Sequence, residues 1–172
     1  MPQLNQVQMR YVPAEDRILL RINTTDRCEY RFWITRRFAR LLWPVLSRLT
    51  QADPQVMVAA DPAARQAILA FQQEQAVQQA NFGAALRDSV DQLPLGDTPV
   101  LLGRLQVRPA TENRHVISLQ PMEGQGIELS MGRDLLHALM KLLAETAAKA
   151  EWSLGFAAHA GESAPTRRAA VN

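Results

Sequence analysis

Between Tyr30 and Ile34 apolar side chains recur at every second residue, and from Phe38 they recur at helical spacing, on Phe38, Leu42, Val45 and Leu46. A period of two belongs to a strand with one buried face, and a period near 3.6 to a helix with one apolar stripe. The same switch of period appears 97 residues later. Tyr30, Phe32 and Ile34 fall on Ile127, Leu129 and Met131, and Phe38, Leu42, Val45 and Leu46 fall on Leu135, Leu139, Leu142 and Leu143. The alignment of Tyr30–Leu46 with Ile127–Leu143 needs no gap, and Arg36 matches Arg133 just past the switch. Upstream, Leu20 and Ile22 fall on Ile117 and Leu119, across turns rich in polar residues and glycine, Asn23–Arg27 and Pro121–Gly126. A conserved turn length fixes the register of the strands it joins, so the pattern predicts an internal duplication. One inserted residue further back, Pro13–Arg17 resembles Pro109–Arg114, and before these turns lie the alternating stretches Val7–Tyr11 and Leu102–Val107.

Each copy reads strand, strand, strand, helix. The predicted fold class is α+β: two ββ(β)α units, about 7–50 and 101–152, with antiparallel sheets covered by helices. The stripes Phe38, Leu41, Leu42, Val45, Leu46 and Leu135, Leu139, Leu142, Leu143 are expected to cover the inward sheet faces, packing the halves as a pseudo-dimer around one core. Pro44 inside the first stripe should kink that helix or restart it. The second helix is expected from about Gly132 to Trp152. Residues 51–99 form a connector that is mostly helical, opening on Asp61-Pro62 as capping carboxylate and first-turn proline. It continues over Ala63–Phe82, with Gly83 as an interruption. The helix is rich in glutamine and reads as a surface helix or one side of an oligomer contact. Residues 1–156 then make one domain, and the Ala-, Gly-, Ser- and Pro-bearing tail 157–172 is expected to be disordered.

Composition adds limits. The chain has 172 residues, 47% hydrophobic and 21% charged, which excludes a mostly disordered chain or a collagen-like fibre. Cys28 is the only cysteine, so no internal disulfide forms and a reducing compartment is expected. Met1–Arg10 has no apolar run behind a basic start, and stretches such as Leu41–Leu46 are far shorter than the ~20 residues a bilayer requires. The expectation is a cytoplasmic protein with no membrane partner. Net charge is +2, yet residues 1–52 hold nine arginines against Glu15, Asp16, Asp26 and Glu29, while the remainder is acidic on balance. Only Lys141 and Lys149 among the basic residues are lysines. Arginine suits planar, bidentate or stacked contacts with phosphates, carboxylates and rings.

Catalytic signals are poor. His115, His137 and His159 lack ligand spacing, and no phosphate-binding glycine loop, nucleophile elbow or zinc helix is present. The sequence therefore nominates no catalytic residue, metal site or cofactor. His137 matches Arg40 in the other copy, off the apolar stripe, and is expected to be a partly exposed helix residue. Cys28 reads as an incidental thiol at a strand start, whose pKa a neighbouring arginine could lower.

The best candidate surface is the outer face of the first sheet. With Leu20, Ile22, Tyr30, Phe32 and Ile34 inward, alternation sends Leu19, Arg21, Glu29, Arg31 and Trp33 outward, joined by Arg10 and Arg17. Several arginines beside an aromatic suit single-stranded nucleic acid, since guanidinium groups neutralise phosphates and an indole stacks on a base. The face of the second copy, with Arg104, Arg108, Val116, Ser118, Glu128 and Ser130, has no aromatic. Competing readings are that the arginines pair with Glu15, Asp16 and Glu29, that the connector helix covers Trp33, or that the face is a homodimer surface. Two sheet-then-helix units with a basic, aromatic-bearing face at Arg21, Arg31 and Trp33 resemble the Whirly type of single-stranded nucleic-acid-binding protein. The resemblance covers 7–50 and 101–152 as a pattern; the chain shows three strands per unit where that family has four. Three functions follow in order: a non-enzymatic binding or assembly protein, single-stranded nucleic-acid binding at Arg10, Arg17, Arg21, Arg31 and Trp33, and an enzyme with a pocket assembled between the halves.

Overall fold

A computed structural model describes residues 2–52, 57–59, 61–79, 90–111 and 113–154. The predicted tail 157–172, with Phe82 and Gly83 of the connector, lies outside the described residues.

The first unit is an antiparallel meander, β1 (Leu4–Val12), β2 (Arg17–Thr24) and β3 (Glu29–Ile34), followed by α1 (Arg36–Gln51). The connector contributes α2 (Pro62–Gln79), and directly after it comes a two-residue strand, β4 (Val100–Leu101). The second unit repeats the meander as β5 (Arg104–Thr111), β6 (Arg114–Gln120) and β7 (Ile127–Gly132), followed by α3 (Arg133–Lys149). The architecture is therefore two βββα units in an α+β fold.

Register carries the repeat. Ile22 faces Tyr30, Leu20 faces Phe32 and Ile18 faces Ile34. In the second unit Leu119 faces Ile127, Ile117 faces Leu129 and His115 faces Met131. Every pair is displaced by the same 97 residues. The first hairpins depart from this rule. Val12 pairs with Arg17 across Pro13–Asp16, whereas Thr111 pairs with Arg114 across only two residues, with a bulge beside Pro109. Asn113 sits at φ 66 in that tighter turn, a backbone region that asparagine tolerates. The sequence alignment of Pro13 with Pro109 is therefore corrected. Tyr11 faces Ile18 as Pro109 faces His115, so Tyr11 holds the place of Pro109, and Pro13 lies in the longer turn.

The first sheet also has a fourth strand that the sequence reading lacks. β4 pairs in parallel with β3, Phe32 to Val100 and Trp33 to Leu101, giving the order β1-β2-β3-β4. The next two residues join the sheets: the Leu102 amide donates to Trp33 O at 3.0 Å, and the Gly103 amide donates to Gln120 O at 2.9 Å.

One apolar core takes side chains from both units. It gathers Leu20, Ile22, Phe32 and Ile34 with Phe38, Leu42 and Leu46, and Ile117, Leu119, Leu129 and Met131 with Leu136, Leu139 and Leu143. The alternation and both stripes explain most of these residues. Leu41 is an exception: it lies on the solvent side of α1 and is 51% exposed. α1 runs through Pro44 as one helix; the proline sits on its exposed side and costs one backbone donor. Thr35 caps it, accepting from the Phe38 amide at 3.1 Å.

α3 packs against α1, α2 and β1. It ends where Glu151 adopts φ 57 and the amides of Glu151 and Trp152 bond back to Ala148 O and Ala147 O, a Schellman cap. α2 opens as predicted, with the Ala63 amide donating to the Asp61 carboxylate at 3.3 Å. It buries Ala76 and ties to α3 through Lys141 and Glu74. No helix among the described residues is long and apolar enough to cross a membrane.

Candidate functional surface

Register decides which side chains share the outer face of the first sheet. Arg10 is opposite Leu19, which is opposite Trp33, which is opposite Leu101; Arg21 is opposite Arg31, one step along. The face therefore carries an apolar row ending in an arginine, beside an arginine pair.

The arginine pair is occupied internally. Glu29 is on the outer side, as alternation predicts, but its carboxylate is fully buried. It accepts from Arg21 Nε at 3.0 Å and Nη2 at 2.9 Å, and from Arg31 Nε at 2.5 Å. Arg31 also donates to Asp97 O at 3.1 Å, and the Glu29 amide donates to Gln92 O at 3.0 Å, so the chain ahead of β4 runs along the edge of β3 and meets the Arg31 side chain. Burial by itself would raise the Glu29 carboxyl, but the hydrogen bonds and charges of Arg21 and Arg31 outweigh it and hold the group below the usual carboxylate range. Of the competing readings, pairing of the face's arginines with Glu29 is the one seen for Arg21 and Arg31. Arg21 and Arg31 keep only about a third of their side-chain surface in solvent.

Arg10 is exposed, Arg17 and Trp33 are half-buried, and Leu101 is 46% exposed. The element beside Trp33 is β4, while α2 lies against α3. Further basic groups stand on α1, where Arg36, Arg37, Arg40 and Arg48 are all exposed. The helix contains no acidic residue, and Arg36 and Arg37 occupy its first turn. The sequence signal for them was four arginines over 36–51 without one carboxylate, set on the solvent side of the stripe.

The second sheet offers less. Arg108 and Ser118 both bond Glu128, at 2.9 and 2.8 Å, and Arg114 bonds Ser130. Val116 and Ser118, read as outward, are buried. Cys28 is buried too, and burial together with the Asp26 carboxylate pushes its thiol above the ordinary value, opposite to the lowering that a nearby arginine suggested.

His137 is a second correction. It is 1% exposed, because α3 faces partners on more sides than its leucine stripe implies. With His115 it lines a cavity of about 200 Å³ shared by both units, together with Leu49, Thr50, Ala52, Asn113, Arg133 and Leu136. The clue was available in the repeat: at offset 97 the two histidines replace Ile18 and Arg40. Among the described residues no three His, Cys, Asp or Glu side chains converge as a metal site.

Comparison with family models, curated proteins and solved structures finds no match.

Proposed function

We propose that this chain is a non-enzymatic binding protein that takes single-stranded nucleic acid on its first unit. The observation that carries the reading is the charge of α1: Arg36 and Arg37 stand at its positive end with no acid in the helix to offset them. Cations there oppose the helix dipole, and a bound anion relieves the conflict. Arg10, Arg17 and Arg48 make no ion pair among the described residues, so they are open to phosphates. Half-exposed Trp33, in the row of Arg10, supplies a stacking surface. The resemblance to Whirly-type proteins, a basic sheet face bearing an aromatic, supports the same reading. Arg21 and Arg31 contribute by shaping the face around Glu29.

The test is anisotropy of a labelled single-stranded oligonucleotide at increasing salt. Binding should weaken steeply with salt, and the double variant Arg36→Glu/Arg37→Glu should lower the slope of log K against log salt by about two. Trp33→Ala should weaken binding with the slope preserved. Absence of binding at about 50 mM salt, or indifference to these variants, overturns the proposal.

A self-association reading has one observation in its favour, the apolar row Leu19, Trp33 and Leu101 on the same face. Sedimentation of the wild type and of Leu101→Arg decides it: a dimer lost in the variant supports assembly, and a monomer at all concentrations removes it.

A further inference from the structure

The first unit carries a charged cluster that its repeat does without. At offset 97 the cross-strand pair Arg21 and Arg31 becomes Ser118 and Glu128, Glu29 becomes Gly126, and Trp33 becomes Ser130. In the second unit Ser118 donates to Glu128 at 2.8 Å, and the Glu128 side chain is 42% exposed. The βββα register therefore forms without a buried acid. A buried carboxylate bridging two arginines also adds little net stability over apolar packing. The cluster belongs to the unit whose outer face bears the tryptophan.

The two arginines are held unequally. Among the described residues, both hydrogen bonds of the Arg21 guanidinium go to Glu29, from Nε at 3.0 Å and from Nη2 at 2.9 Å. Arg31 has a second anchor: its Nε donates to Glu29 at 2.5 Å and its Nη1 to Asp97 O at 3.1 Å. The Glu29 side chain is closed to solvent, while 30% of Arg21 and 29% of Arg31 stay exposed. Glu29 thus governs the Arg21 head, one step along the strand pair from the row of Leu19 and Trp33.

We infer that Glu29 is a built-in competitor for nucleic-acid phosphate, which withholds Arg21 from the ligand and limits the affinity of the surface around Trp33. The inference rests on the nucleic-acid reading above. A carboxylate and a phosphate use the same planar fork of an arginine. Glu29 has the advantage of belonging to the chain, with no translational freedom to lose on pairing. Without its charge Arg21 is free to reach a phosphate, whereas Arg31 keeps its bond to Asp97 O. Removing Glu29 therefore strengthens binding, the opposite of what loss of a structural prop does.

Anisotropy of a labelled oligothymidylate over a salt series tests it with four full-length chains, wild type, Glu29→Gln, Arg21→Gln and the double variant, each with an unchanged circular dichroism spectrum. Near 50 mM salt Glu29→Gln should bind about five- to tenfold tighter than wild type, with a slope of log K against log salt steeper by about 0.7, the value of one single-strand phosphate contact. Arg21→Gln alone should leave the slope unchanged, and in the Glu29→Gln background it should abolish the gain. In the wild type, the carboxyl carbon resonance of Glu29 should stay in place when the oligonucleotide saturates. Glu29→Gln binding no tighter than a wild type that does bind, a gain that survives Arg21→Gln, or a Glu29 resonance that moves on saturation overturns the inference and leaves the nucleic-acid reading standing. A wild type that does not bind removes both.

Discussion

Glu29 shows how much one outward residue can be changed by distant chain. Its carboxylate is buried between two guanidinium groups, so removing its charge leaves Arg21 and Arg31 facing each other across the strand pair. Glu29→Gln should cost about 1–2 kcal/mol near neutral pH, below the figure for a fully buried pair because both arginines reach solvent. The sign of the pH effect follows from its lowered pKa. An unfolded glutamate takes a proton near pH 4.3, whereas folded Glu29 stays charged to lower pH. Its stabilisation is complete above the unfolded value and is lost as pH falls through the folded one. Urea melts at pH 7, 5, 4 and 3 should show wild type losing more stability than Glu29→Gln over the acid range; parallel curves contradict the clamp. Alternation alone placed Glu29 on the correct side of β3, but it could not show that Arg21 and Arg31 would both fold onto its carboxylate, with Asp97 O holding Arg31 from distant chain. For His137 the failure was different. An apolar stripe marks one buried side, while α3 is wedged among α1, α2 and β1 and hides polar positions as well.

Turns and caps give sharper expectations than strands or helix bodies. Glu151 holds the left-handed position of the α3 cap at φ 57, where glycine carries no Cβ penalty. Glu151→Gly should therefore stabilise the protein by about 0.5–1 kcal/mol, seen as a higher melting temperature; a drop means that the cap geometry is wrong. Gly126 is the opposite case. A Cβ there would run into the Leu119 carbonyl of the neighbouring strand, so Gly126→Ala should cost about 2 kcal/mol. Elements with a sustained period were legible in sequence: β2, β3, β6, β7 and both stripes followed from spacing, because the turns between matched strands have equal length. The first hairpins were misaligned because two prolines matched by identity occupy different backbone roles. β4 was invisible because two residues carry no period at all, and its pairing depends on a strand almost seventy positions earlier.

At the level of the whole molecule, the shared core predicts a single folding unit. Phe32 and Leu129 lie in different sheets and are both wholly buried. Phe32→Ala and Leu129→Ala should each cost about 3–4 kcal/mol, and each should shift one transition seen alike by far-ultraviolet dichroism and tryptophan fluorescence. Two separate transitions would mean that the halves fold apart. The link between Leu102 and Gly103 adds a mechanical consequence. Neighbouring amides closing different ladders leave no slack chain between the sheets, and the core that both sheets share resists any tilt about that junction. The sheets must tumble together, and residual dipolar couplings from both should fit one alignment tensor.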